Sequence, residues 1–97
     1  MTGDNAQELK QINVVVRGRV QGVYFRQSTA RLANTIGVKG WVRNQTDGTV
    51  EVMAVGTPVQ LNQLLGFLRR GPRAAEVDDV ETEVVTPVES FAGFYVR

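Results

Sequence analysis

Residues 18–26 read GRVQGVYFR, with two glycines, arginines at positions 19 and 26, and no acidic residue. The stretch follows the β-branched run Ile12–Val16 and precedes a helical period, so it joins the end of a strand to the start of a helix. The N–H groups of a first helical turn have no intrahelical partners and carry the positive end of the helix dipole. A turn that aims several of them inward forms a nest for an anion, and glycine lets an anion come close to the backbone. Gly22 lies mid-loop, where a side chain would block that approach, and Arg26 brings a planar fork that matches two phosphate oxygens. Phosphate recognition is the chemistry such a loop could do. A plain turn carrying a solvated base satisfies the same spacing. Neither GxxxxGK[ST] nor GxGxxG occurs, so the usual nucleotide loops have no support.

The inventory narrows the chemistry further. The chain has no histidine and no cysteine, which removes the commonest general base, the commonest metal ligand and any thiolate nucleophile. Arg, Lys, Asp, Glu, Asn, Ser, Thr, Tyr, backbone and water remain. Ninety-seven residues, 42% apolar and 22% charged, make one globular domain. The net charge of +1 conceals an asymmetry. No acid lies between Leu9 and Thr46, where Lys10, Arg17, Arg19, Arg26, Arg31, Lys39 and Arg43 all fall. From Glu76 to Glu89 the order reverses, with Glu76, Asp78, Asp79, Glu81, Glu83 and Glu89 and no base. Two faces that attract each other in the fold would give this pattern, and so would an anion site in the first half. No apolar run approaches the roughly 18 residues of a membrane span. Residues 1–11 are polar, lack the marks of a signal or transit peptide, and are expected to form a frayed tail on a cytoplasmic, monomeric protein.

The elements that must position the loop follow from periodicity. INVVVRG alternates, with Ile12, Val14 and Val16 on one side, and Gly18 is expected to end the strand. A helix begins at Phe25 with Phe25, Thr29, Leu32, Ala33 and Ile36 on one face, and Gly37 is placed as its left-handed cap. VKGWVRNQ and TVEVMAV form a hairpin around the TDG turn at 46–48. Thr57, Pro58 and Gln60 spell a capping box with proline at the first helical position. Leu61, Leu64, Leu65 and Leu68 are that helix's apolar stripe, and Gly71-Pro72 stops it. VDDVETEVVT is a strand with Asp79, Glu81 and Glu83 on one face, and FYVR closes the chain. The order βαββαβ plus a terminal strand predicts an α+β domain over 12–97, a ferredoxin-like split βαβ with two helices on one face of an antiparallel sheet.

GRVQGVYFR resembles the first signature of the acylphosphatase family, and GWVRNQTDGTVEVMAVG (40–56) resembles the second, with Asn44, Gly48, Val50 and Gly56 at the family's offsets. The likeness runs from about Val14 to Arg97. It implies the same fold, no cofactor and no metal. It implies that Val20, Gln21, Gly22, Val23 and Tyr24 cradle a phosphate, that Arg26 binds it and that Asn44 holds the attacking water. The family hydrolyses acyl phosphates, small-molecule mixed anhydrides, to a carboxylate and phosphate; inorganic phosphate or sulfate would then compete as anions. Many members carry one more aromatic residue beyond the position of Arg97.

Other readings of the same residues are weaker. Asp79, Glu81 and Glu83 share one strand face, whereas metal sites gather ligands from separate elements, and acids on an exposed strand deter edge pairing. Lys39-Gly40-Trp41 has the basic-glycine-aromatic start of an RNA-recognition motif, but on the second strand and without further aromatics, so no nucleic-acid partner is expected. Ser28 and Ser90 have no base in any recognisable pattern. A noncatalytic use of the same pocket, as in carbamoyl-phosphate-handling modules of larger maturation enzymes, is the principal alternative to an enzyme.

Overall fold

The computed structural model describes residues 8–97. The expected tail lies outside them up to residue 7, while Lys10 and Gln11, counted with it above, open the first strand. The elements are β1 (Lys10–Arg19), α1 (Phe25–Ile36), β2 (Lys39–Asn44), β3 (Val50–Gly56), α2 (Pro58–Leu68), β4 (Glu76–Val84) and β5 (Phe94–Val96). They build a five-stranded sheet in the order β4-β1-β3-β2-β5.

Alternation decides which side of the sheet is covered. Ile12, Val14 and Val16 of β1, Val42 of β2, and Val50, Val52 and Ala54 of β3 are buried in one cluster with Phe25, Ala30 and Ala33 of α1 and Leu61, Leu64 and Leu68 of α2. Each such Val, Ile, Leu or Phe side chain contributes about 1.5–3 kcal/mol by leaving water, and the alanines less. The opposite face carries Asn13, Val15 and Arg17, then Glu51 and Met53, then Trp41 and Arg43, in register across β1, β3 and β2. The helices therefore lie on one face, as the stripes require.

Local signals are honoured where partners are local. Thr57 Oγ1 accepts from Gln60 N and Gln60 Oε1 accepts from Thr57 N, completing the capping box. The Gln60 carboxamide also donates to Ile36 O at 2.8 Å, fastening the end of α1 to the start of α2. Gly37 caps α1 in the left-handed region at φ 88°.

Three features depart from the sequence expectation. The sheet is mixed: β4, β1, β3 and β2 pair antiparallel, but β5 runs parallel to β2. After β4 the chain crosses to the far edge and arrives there in the direction of β2. Gly18 does not end β1, which continues to Arg19 through an irregularity that pairs Arg17 with Asp79 and Gly18 with Val77. At φ 130° a Cβ on Gly18 would lie 2.1 Å from the Glu76 carbonyl oxygen, so only glycine lets the strands approach there. β4 spans 76–84 rather than 77–86.

Candidate active site

Past the bulge, residues 20–24 turn the chain into α1. Val20 is buried and anchors the loop to the core. Gly22 has φ 75°, and a Cβ there would meet no protein atom within 4 Å. Its left-handed φ favours glycine on conformational grounds, and the space a side chain would fill holds no protein atom. Tyr24 is the N-cap of α1 at φ 62°, ψ 22°, with no side-chain capping bond. A bulky residue held left-handed costs on the order of 1–3 kcal/mol, and such residues concentrate at ligand sites. The first helical amide to find an acceptor is Ser28 N, on Tyr24 O at 3.0 Å. Amides ahead of it have no intrahelical acceptor, and the first turn carries no acid.

A hollow of about 270 Å³ opens at this helix end, lined by Val20, Gly22, Tyr24, Phe25, Arg26, Gln27 and Asn44. The structure thus brings together Val20, Gly22, Tyr24, Arg26 and Asn44 from the sequence-derived set. Gln21 and Val23 do not line the hollow. The Gln21 carboxamide donates to Gln45 O at 2.7 Å and Thr49 O at 2.9 Å, stapling the loop to the β2–β3 hairpin. Val23 packs on the core. Phe25, expected on the core face of the helix, and Gln27, not singled out from the sequence, also line the hollow; their place in the first turn of α1 is the signal that could have added them to the site.

Arg26 donates from Nη1 to the main-chain oxygen of Arg97 at 3.0 Å. No Asp or Glu side chain among the described residues pairs with it, and most of its five N–H donors remain free for a ligand. The segment that holds it is itself fixed. Asn34 Nδ2 donates to Phe94 O, and the Arg97 guanidinium lies 4.8 Å from the centre of the Trp41 ring, whose other neighbour is Arg43 at 5.0 Å. Trp41 is surface cover held by two cations.

Asn44 ends β2 and enters the hollow from the sheet side. Its Oδ1 is buried and accepts no hydrogen bond from any described residue. A buried acceptor without a partner costs about 1–3 kcal/mol, and native structures contain few. The hairpin beyond it is knit closely: Gln45 N donates to Thr49 O, and Thr49 donates through its amide and hydroxyl to Asp47 Oδ1. The Thr49 hydroxyl and then its amide hold the Asp47 carboxyl below the usual carboxylate range. Arg43 pairs with Glu51 at 2.7 Å, and Asn13 and Gln45 donate to the same carboxylate.

The acidic strand looks different. Asp79 and Glu81 both reach Arg17 across the sheet, and these side chains are about half exposed or more. Among the described residues no group of three or more Asp or Glu is placed to hold a metal ion. No helix among them is long and apolar enough to cross a membrane.

Comparison with known proteins converges on one family. The family profile described as Acylphosphatase matches residues 12–96. An acylphosphatase of Pseudomonas paraeruginosa is 50% identical over 86 residues, covering 89% of this chain and 93% of that protein. The structure of an acylphosphatase from Coxiella burnetii superposes with a TM-score of 0.89 at 37% identity, covering 100% of both chains. That of the Bacillus subtilis acylphosphatase gives 0.88 at 31% identity, over 93% of this chain and 99% of that one. The ferredoxin-like fold and the two sequence signatures thus have one explanation, and the chain belongs to the acylphosphatase family, enzymes that hydrolyse acyl phosphates.

Proposed function

We propose that this chain hydrolyses acyl phosphates in the hollow between the 20–26 loop and Asn44, by attack of water on a phosphoryl group held by Arg26 and the loop amides. The carrying observation is that Asn44, whose buried Oδ1 has no hydrogen-bond partner among the described residues, lines one cavity with Arg26, whose guanidinium pairs with no described Asp or Glu. An acceptor in that place takes a hydrogen bond from a water and aims its lone pair at phosphorus. As the new P–O bond forms, the P–O bond to the acyl group breaks and its electron pair leaves with the carboxylate. The water's proton passes to a phosphoryl oxygen of the substrate. A carboxylate is a good leaving group, so no strong general acid is required. Catalysis of this kind rests on positioning and on stabilising the equatorial oxygens, which Arg26 and the amides ahead of Ser28 supply.

The reading needs no metal and no cofactor, and phosphate or sulfate would compete for the same donors. Purified protein with acetyl phosphate tests it. Turnover should persist after exhaustive EDTA treatment, with competitive inhibition by inorganic phosphate. Because no proposed group changes charge between about pH 5 and 8, the rate should be nearly flat over that range, apart from the substrate's own ionisation. A steep bell near neutrality, or loss of activity with EDTA, would overturn the mechanism. A binding-only module would bind phosphate and show no turnover.

A further inference from the structure

Six of the seven residues that line the hollow come from the single segment 20–27; the seventh, Asn44, comes from β2. In-line displacement puts the attacking and leaving oxygens on opposite sides of phosphorus. With the water on Asn44, the acyl group departs over the wall made by the loop and the first turn of α1. On that wall Val20 and Phe25 are buried in the core, Gly22 has no side chain, and Arg26 serves the phosphoryl group. Tyr24 and Gln27 are the exposed lining side chains.

Tyr24 is the one with an apolar surface to offer. It is 76% exposed, and its ring is not part of the hydrophobic cluster. It occupies an N-cap where Ser, Asp or Asn would bond the helix amides, and makes no such bond. It sits at a positive φ that glycine would adopt without strain. Neither helix formation nor packing accounts for an aromatic ring at this position, while the cavity mouth does.

We propose that Tyr24 is a specificity-determining residue whose ring contacts the acyl group, favouring aromatic acyl phosphates over acetyl phosphate. The inference rests on the phosphoryl site proposed above. An aromatic acyl group meets the ring offset or edge-on, a contact that changes relative affinity from about twofold to about tenfold. Because the contact is made in the bound substrate as well as in the transition state, its effect falls mainly on KM.

The test compares kcat/KM for benzoyl and acetyl phosphate in the wild type, Tyr24→Gly, Tyr24→Phe and Arg26→Ala. Glycine fits the backbone at position 24, and any disturbance common to both substrates cancels in their ratio. The benzoyl-to-acetyl ratio should fall about fivefold in Tyr24→Gly, through KM for benzoyl phosphate, and stay within twofold of wild type in Tyr24→Phe. A ratio within twofold of wild type in Tyr24→Gly would overturn the proposal, even if both activities dropped together. Arg26→Ala separates the two levels: retained turnover of both substrates defeats the phosphoryl site itself, whereas its loss beside an unchanged Tyr24→Gly ratio defeats only the role of Tyr24.

Discussion

Residues 18–26 and strand β4 are both runs of like charge, and their polar groups are satisfied in opposite ways. On β4 two of the five acids meet a cation: Asp79 and Glu81 share Arg17, whose pKa Glu81 raises by hydrogen bond and charge. These side chains lie on an exposed strand and are partnered from the strand beside it. At the loop, among the described residues, Arg26 hydrogen-bonds only a main-chain oxygen and Asn44 Oδ1 accepts no hydrogen bond, and both residues line a hollow. Charge density alone does not mark a site. Donors and acceptors left unused in a concave place do.

The sharpest way to break the comparison is to remove the cation that no described acid pairs with. Arg26→Ala should lower kcat/KM by a hundredfold or more, about 3 kcal/mol of transition-state stabilisation by analogy with deleting an oxyanion donor, while thermal unfolding shifts little. Activity above a tenth of wild type would remove Arg26 from the mechanism. Asn44→Ala comes next: kcat should drop roughly a hundredfold as the water loses its orientation, with the inhibition constant for inorganic phosphate changing far less. Weak phosphate binding with normal turnover would mean that Asn44 grips the phosphoryl group and does not aim the water. On the other side of the comparison, Glu81→Gln should leave kcat/KM within twofold and move stability by less than about 1 kcal/mol, the range of exposed ion pairs; urea unfolding beside a turnover assay reads both.

The smallest effect concerns Asp47. Its folded carboxyl titrates below the usual value, chiefly through the Thr49 hydroxyl, so folding favours the ionised form. The resulting stability is fully present above the ordinary carboxylate pKa of about 3.9 and disappears as pH falls through the folded value. Asp47→Asn should therefore match wild type most closely at acid pH and lag behind it at pH 6. An equal gap at both pH values would show that the hydrogen bonds, and not the charge, carry the effect.

What could be read in the sequence follows the range of the interactions. The capping box at Thr57 and Gln60 and the left-handed cap at Gly37 involve neighbours, and both stand where composition put them. Gln11 looked like part of a polar tail, yet it is buried because its carboxamide donates to Glu89 and accepts from the Glu89 amide, 78 residues away. No local rule contains that partner. The parallel pairing of β5 depends likewise on a crossing between sheet edges. At the site, the strand–loop–helix order brought Arg26 to the helix start by itself. The roles of Gln21 as a staple and of Gly22 as a conformational need required the folded hairpin and the backbone angles.

The bond from Arg26 to Arg97 O changes when conformational entropy is lost. A long, flexible guanidinium side chain normally gives up its rotamer freedom on meeting a ligand. Here one donor is already engaged through β5, the short edge strand paired only to β2, so that ordering belongs to folding. Edge elements open locally at a lower free energy than the whole domain. Warming that loosens β5 would release the arginine first, and the protein would lose affinity for anions at temperatures where calorimetry still finds it folded.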